Sequence, residues 1–149
     1  MNNYYISLLK KTYYGEAGEV FNSLMFCSFA CTLSTFENQF SQIFYEILSD
    51  EQKHQILLGE CIAKLGGDLD YENFDTVCGN LIFTKNIQKM LEYSIKIKEK
   101  SIINYKIILA KIMEKNVKNT VKNILADEQR HLLLLKSMLE NYNLVEENK

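Results

Sequence analysis

Ile47-Leu48-Ser49-Asp50-Glu51-Gln52-Lys53-His54 returns later in the chain as Ile124-Leu125-Ala126-Asp127-Glu128-Gln129-Arg130-His131, with only Ser/Ala and Lys/Arg exchanged. The two octapeptides hold both histidines of the protein. On a helix, residues three apart stack on one face, so each Glu-x-x-His offers a carboxylate and an imidazole to the same point in space. Two such helices facing each other make a metal site.

The rest of the composition suits a helical frame for that pair. There is no proline and there are six glycines, so little interrupts long helices and an all-α protein is expected. With 149 residues, 47% apolar and 24% charged, the chain reads as one soluble globular domain spanning 1–149. Its net charge of −2, with lysines scattered among glutamates, gives no footprint for nucleic acid. The N-terminus lacks the basic-then-apolar layout of a signal peptide, so a cytoplasmic location is expected. The longest uncharged run, residues 20–36, is short of a membrane span, carries several polar residues and reads as a buried helix. Cys27, Cys31, Cys61 and Cys78 form no C-x-x-C pair, which leaves out a rubredoxin-type iron site and a thioredoxin-type redox pair. They read as small, reduced core residues.

Apolar periodicity predicts four helices, at about residues 3–33, 36–65, 84–115 and 118–141. Gly66-Gly67 ends the second. Residues 66–83 have no sustained period and are long enough to cross back along a helix of thirty residues, which places two antiparallel hairpins side by side. The acidic tail, residues 143–149, is expected to fray. Leu132 to Leu135 are apolar right round the last helix, more than one core face needs, which points to a dimer interface.

Three of the predicted helices carry a glutamate in the middle of an apolar stripe: Glu19, Glu51 and Glu128. Burying an ionised carboxylate without a partner costs several kcal/mol, so such a group is neutralised, paired or bound to metal. Carboxylates with imidazoles from His54 and His131 suit iron or manganese, and no clustered thiolates point to a zinc finger. Asp50 and Asp127 lie one turn before the histidines, where each can accept a ring N–H on its own or the facing helix.

With these residues the sequence resembles the ferritin-like superfamily of four-helix carboxylate-bridged dimetal proteins, in particular its rubrerythrin-like and manganese-catalase-like branches. The resemblance rests on Gly18-Glu19 with Phe26 seven residues on, Asp50 to His54 running into Leu57-Leu58-Gly59-Glu60, Leu65-Gly66-Gly67-Asp68, and Asp127 to His131. It implies a ferritin-like four-helix bundle in which helices one and three each supply a terminal glutamate, and helices two and four each a bridging glutamate and a histidine. It also implies one or two ions of iron or manganese, without haem or nucleotide, and oxidoreductase chemistry on peroxide or oxygen of the peroxidase or catalase kind. Without a rubredoxin module, electrons would come from an external donor.

On the third helix the sequence departs from that pattern. Seven residues before Tyr105 stands Lys98, near the centre of the stripe, with Glu99 about 60° to one side. Three arrangements remain open. The Lys98 ammonium takes the space of one ion and leaves a mononuclear site of Glu19, Glu51, His54 and Glu128. Alternatively Lys98 turns outward and Glu99 swings in to restore two ions, or the bundle is a metal-free scaffold or interaction protein.

Overall fold

The structure, a computed structural model, describes every residue except 37, 72 and 73 and the side chain at 38. The expected start of the second helix at residues 36–37 and part of the expected crossover lie partly outside the described residues. Among the described residues six helices follow in order: α1 (Asn2–Tyr14), α2 (Glu19–Leu33), α3 (Asn38–Lys64), α4 (Phe74–Cys78), α5 (Ile87–Lys111) and α6 (Lys115–Glu147). There is no strand among the described residues.

Cross-helix hydrogen bonds give the directions. His54 meets Asp127 while Asp50 meets His131, so α3 and α6 are antiparallel. Glu19 meets Tyr105 while Asn22 meets Ser101, so α2 and α5 are antiparallel too. Ser41 donates to the Ala30 carbonyl and Gln55 faces Ser23, which makes α2–α3 an antiparallel hairpin. The segment between α3 and α5 must therefore return along the bundle, as the crossover reading required, and α4 lies within it.

The expected first helix, 3–33, is corrected to two. Ala17 has a φ of 60°, a left-handed conformation that no helix can run through. Its carbonyl accepts from Ser101 Oγ at 2.8 Å and from Asn22 Nδ2 at 3.3 Å, and these buried bonds hold the strained turn in place. Gly18 then caps α2, leaving Glu19 as its first residue. A β-carbon at Gly18 would lie 2.8 Å from the Gly15 carbonyl oxygen, so the tight turn needs glycine for space. At the end of α3, Gly66 has a φ of 86°, and the Gly67 and Gly66 amides bond the Ile62 and Ala63 carbonyls, both at 2.9 Å. This is the paired-bond stop that a left-handed glycine permits.

The later boundaries also shift. Asn86 caps α5 through the Lys89 amide at 2.9 Å, and Glu114 caps α6 through the Val117 amide at 2.6 Å. The tail expected to fray is helical to Glu147. No glycine or proline stops it, and Tyr142 packs on Phe40 with ring centres 6.2 Å apart.

Each long helix passes from one apolar cluster to another. Phe21, Phe26, Phe29, Phe44, Met90 and Leu135 belong to the first. Leu9, Leu58, Tyr105, Ile108, Val121 and Ile124 belong to the second. The positions between them on α3, α5 and α6 are polar: Glu51 and His54, Lys98 and Ser101, Glu128 and His131, all buried. α2 opens this layer with buried Glu19 and Asn22. The polar layer is thus enclosed by hydrophobic packing on both sides.

Two readings of α2 and its cysteines are corrected. The helix is not buried all round, since Leu24 is 44% exposed. Cys27 and Cys31 are exposed, Cys78 is half-buried, and of the four free thiols only Cys61 is a core residue. No helix is long and apolar enough to cross a membrane among the described residues.

Candidate metal centre

The six charged or ionisable side chains of the polar layer converge on one another. Glu19, Glu51, His54 and Glu128 each offer a ligand atom, and these atoms all lie within 4.8 Å of one another. His131 completes the ring of donors, its Nδ1 standing 3.4 Å from Glu51 Oε1 and 3.7 Å from Glu128 Oε1. Its counterpart, His54 Nδ1, stands 3.4 Å from Glu128 Oε1 and 3.6 Å from Glu19 Oε2.

The outer nitrogen of each histidine is spoken for by the facing helix. His54 Nε2 lies 2.9 Å from Asp127 Oδ2, and His131 Nε2 lies 2.9 Å from Asp50 Oδ2. A carboxylate can only accept, so Nε2 carries a proton, and in the neutral ring the Nδ1 lone pair is turned inward. Arg130 ties the outer edge together, donating to Asp50 Oδ2 at 2.8 Å and approaching Asp127 Oδ1 at 3.5 Å.

Lys98 projects inward. It is fully buried and its ammonium donates to Glu51 and, at 2.9 Å, to both oxygens of Glu128. The Phe26 ring centre is 5.1 Å from its Nζ, so aromatic and carboxylate faces together surround the charge. The expectation that Glu99 swings in is corrected. Glu99 is exposed and faces Lys136 at 3.6 Å on the outside of the bundle. With α5 a continuous helix, inward Lys98 leaves Glu99 about 100° round the axis.

Two partners were not foreseen from sequence. Tyr105 donates its hydroxyl to Glu19 Oε1, and the Asn22–Ser101 pair at 3.3 Å supports the turn before Glu19. The available signal was a polar atom on each apolar stripe, one turn or two beyond the charged residue.

Burial and like charge set the protonation. Burial, with Glu51 and Glu128 adding repulsion, pushes the Glu19 carboxyl up to about 8 against the pull of His54. Burial opposes the charged form of His54, yet attraction by Glu128 and Glu19 outweighs it and raises the imidazole to about 11. His131 rises to about 9 in the same way, through Glu128 and Glu51 against burial and Lys98. Burial acts against an ionised Glu128 as well, but Lys98 and the two histidines hold its carboxyl well below the usual range. Burial also opposes the Lys98 charge, and the three glutamates raise its pKa regardless.

The donor set fits a metal ion. Glu19 Oε2, Glu51 Oε2, His54 Nδ1 and His131 Nδ1 are buried without a hydrogen-bond partner. Buried polar atoms are nearly always satisfied, and three of these four belong to residues whose ligand atoms converge within 4.8 Å, an arrangement that suits a cation. Oxygen donors with one or two imidazoles suit divalent iron or manganese.

Comparison with known proteins agrees with this chemistry. The family model described as Rubrerythrin matches residues 9–139. The chain belongs to the rubrerythrin family. A solved structure described as a crystal structure of ferritin like, diiron-carboxylate proteins from Bacillus anthracis str. Ames is similar at a TM-score of 0.78 and 25% identity, over 93% of this chain and 96% of that one. No curated protein matches the chain significantly. For a member of the rubrerythrin family, the ferritin-like bundle follows directly, and a buried carboxylate–histidine cluster of this kind points to metal binding.

Proposed function

We propose that the protein binds a single divalent ion, iron or manganese, through Glu19, Glu51, His54 and Glu128, with the Lys98 ammonium as the second positive charge of the cluster. The observation that carries this reading is the buried Lys98 bonded to both Glu51 and Glu128 while Glu19 Oε2 and His54 Nδ1, 3.6 Å apart, make no hydrogen bond. Three carboxylates and one ammonium leave about −2, which one divalent ion neutralises in a dry interior. A second divalent ion would meet no remaining negative charge.

When bound, such an ion supplies one-electron redox chemistry toward peroxide or oxygen. The chain's own residues do the rest. Tyr105 donates to Glu19 Oε1 and leaves Oε2 as the free donor. Asp127 fixes the tautomer that aims His54 Nδ1 inward. Lys98 holds Glu51 and Glu128 in place and limits their repulsion. The enclosing apolar clusters keep bulk water out. Electrons would come from an external donor. The protein would act as a homodimer, with Leu133, 71% exposed on α6, in the contact.

A metal-free scaffold is the rival that one observation favours, because raised histidine pKa values allow imidazolium ions and Lys98 to balance the ionised glutamates without a metal. Elemental analysis after loading with Fe(II) or Mn(II) separates the two. The proposed site gives about one ion per chain, rising toward two in Lys98→Glu, whereas less than about 0.2 per chain in folded protein would leave only the scaffold.

A further inference from the structure

Cys27 and Cys31 are one turn apart on α2, both exposed, and they take no part in the buried centre. Residues four apart on a helix lie on one face, so the two thiols share the same side of α2. The Tyr45 hydroxyl on α3 donates to Cys31 Sγ at 3.5 Å. No charged residue lies between Val20 and Phe36, so no ammonium or carboxylate flanks the pair along the chain. We infer that Cys27 and Cys31 form a surface dithiol site for one soft monovalent cation of the Cu(I) type.

The chemistry selects this ion class. Thiolates are soft donors that favour Cu(I), and two of them on one helix face give two-coordinate binding. Zinc would need two further donors, and no other group of three or more histidine, cysteine or carboxylate ligands is formed here among the described residues. Binding breaks two S–H bonds, forms two sulfur–copper bonds, sends two protons to solvent and changes no oxidation state. The resulting site carries a net −1. Tyr45 stabilises the sulfur charge with its O–H. Burial, and then the Cys31 thiol beside it, raises the Cys27 pKa, a cost that a cation between the sulfurs removes.

A disulfide is the obvious competitor, and helix geometry works against it. Side chains four apart on a helix have β-carbons about 5–6 Å apart, and a disulfide needs about 3.8 Å. Closing that gap would unwind the turn that buries Phe29 and Ala30 in the core.

The test is anaerobic titration of reduced, metal-free full-length protein with Cu(I) in competition with a chromophoric Cu(I) chelator. Wild type should withdraw one equivalent, and Cys27→Ser and Cys31→Ser should each weaken it by about 100-fold, the loss expected when a chelate becomes monodentate. Both positions are on the surface, so circular dichroism should confirm intact helices. Tyr45→Phe should weaken binding less than either serine. Unchanged affinity in either serine variant, or one equivalent retained by the double variant, would overturn the site.

Discussion

At the scale of single residues, the centre is governed by which buried atoms have partners. Asp127 and Asp50 make equivalent 2.9 Å contacts to His54 and His131, yet only His54 belongs to the four-ligand group. Asp127→Asn should therefore lower metal affinity by about 10–100-fold, the usual effect of removing such a support, with Asp50→Asn costing distinctly less. Calorimetric titration with Mn(II) checks the order. Equal losses would make both histidines ligands. Arg130 spans the two aspartates, but it is 58% exposed at the side chain, so its own contribution is small. The charged members of this layer were legible in the sequence, because a charge in the middle of an apolar stripe is physically abnormal. Lys98 was legible by position but not by direction, and the Glu99 alternative stayed open until the continuous α5 placed Glu99 outside. Tyr105 was not, since a tyrosine on a stripe is ordinary core until its hydroxyl partner is known.

At the scale of elements, the turn between α1 and α2 sets where Glu19 begins. Ala17 in its left-handed conformation is held by Asn22 and Ser101 from elsewhere in the fold, so no local signal announced it. The full α2 surface was also hidden from sequence: its stripe with Glu19 was visible, but the uncharged run over residues 20–36 left Cys27 and Cys31 indistinguishable from core. By contrast Gly66-Gly67 marks its helix end by its own backbone freedom, and α3 stops at Lys64 just before it. Gly18→Ala is the sharp test of the turn. Its added carbon meets the Gly15, Thr12 and Tyr13 carbonyl oxygens at 2.8, 3.0 and 3.0 Å. A destabilisation of about 1–3 kcal/mol is expected from such overpacking. Metal affinity should fall as well, because Glu19 is the next residue. Urea unfolding and Mn(II) titration of the variant measure both, and unchanged affinity would uncouple the turn from the centre.

At the scale of the whole molecule, the buried layer couples stability to pH and to metal. In the metal-free chain Glu19 at about 8, His131 at about 9 and His54 at about 11 are all higher than their unfolded values of 4.5, 6.5 and 6.5. The folded state thus keeps protons that the unfolded chain has lost, and stability falls as pH rises through these windows. For the histidines the contribution is complete below 6.5 and is lost through 9 and 11. Asp50 works oppositely at the acid end. Burial opposes its ionised form, but His131 and Arg130 hold it at about 2, so its contribution is present above 3.8 and disappears toward 2. Calorimetry on chelator-treated protein should show Tm falling from about pH 6 to about pH 9, and metal-loaded protein should fall less. A Tm that rises over that range would mean the histidines are not holding protons.

One ion beside one ammonium is the defining feature of the proposed centre, and anomalous diffraction from crystals grown with Mn(II) tests it most directly. The predicted map has a single manganese peak among Glu19, Glu51, His54 and Glu128, with Lys98 Nζ still between Glu51 and Glu128. Two peaks with Lys98 displaced, or no peak at saturating Mn(II), would contradict it.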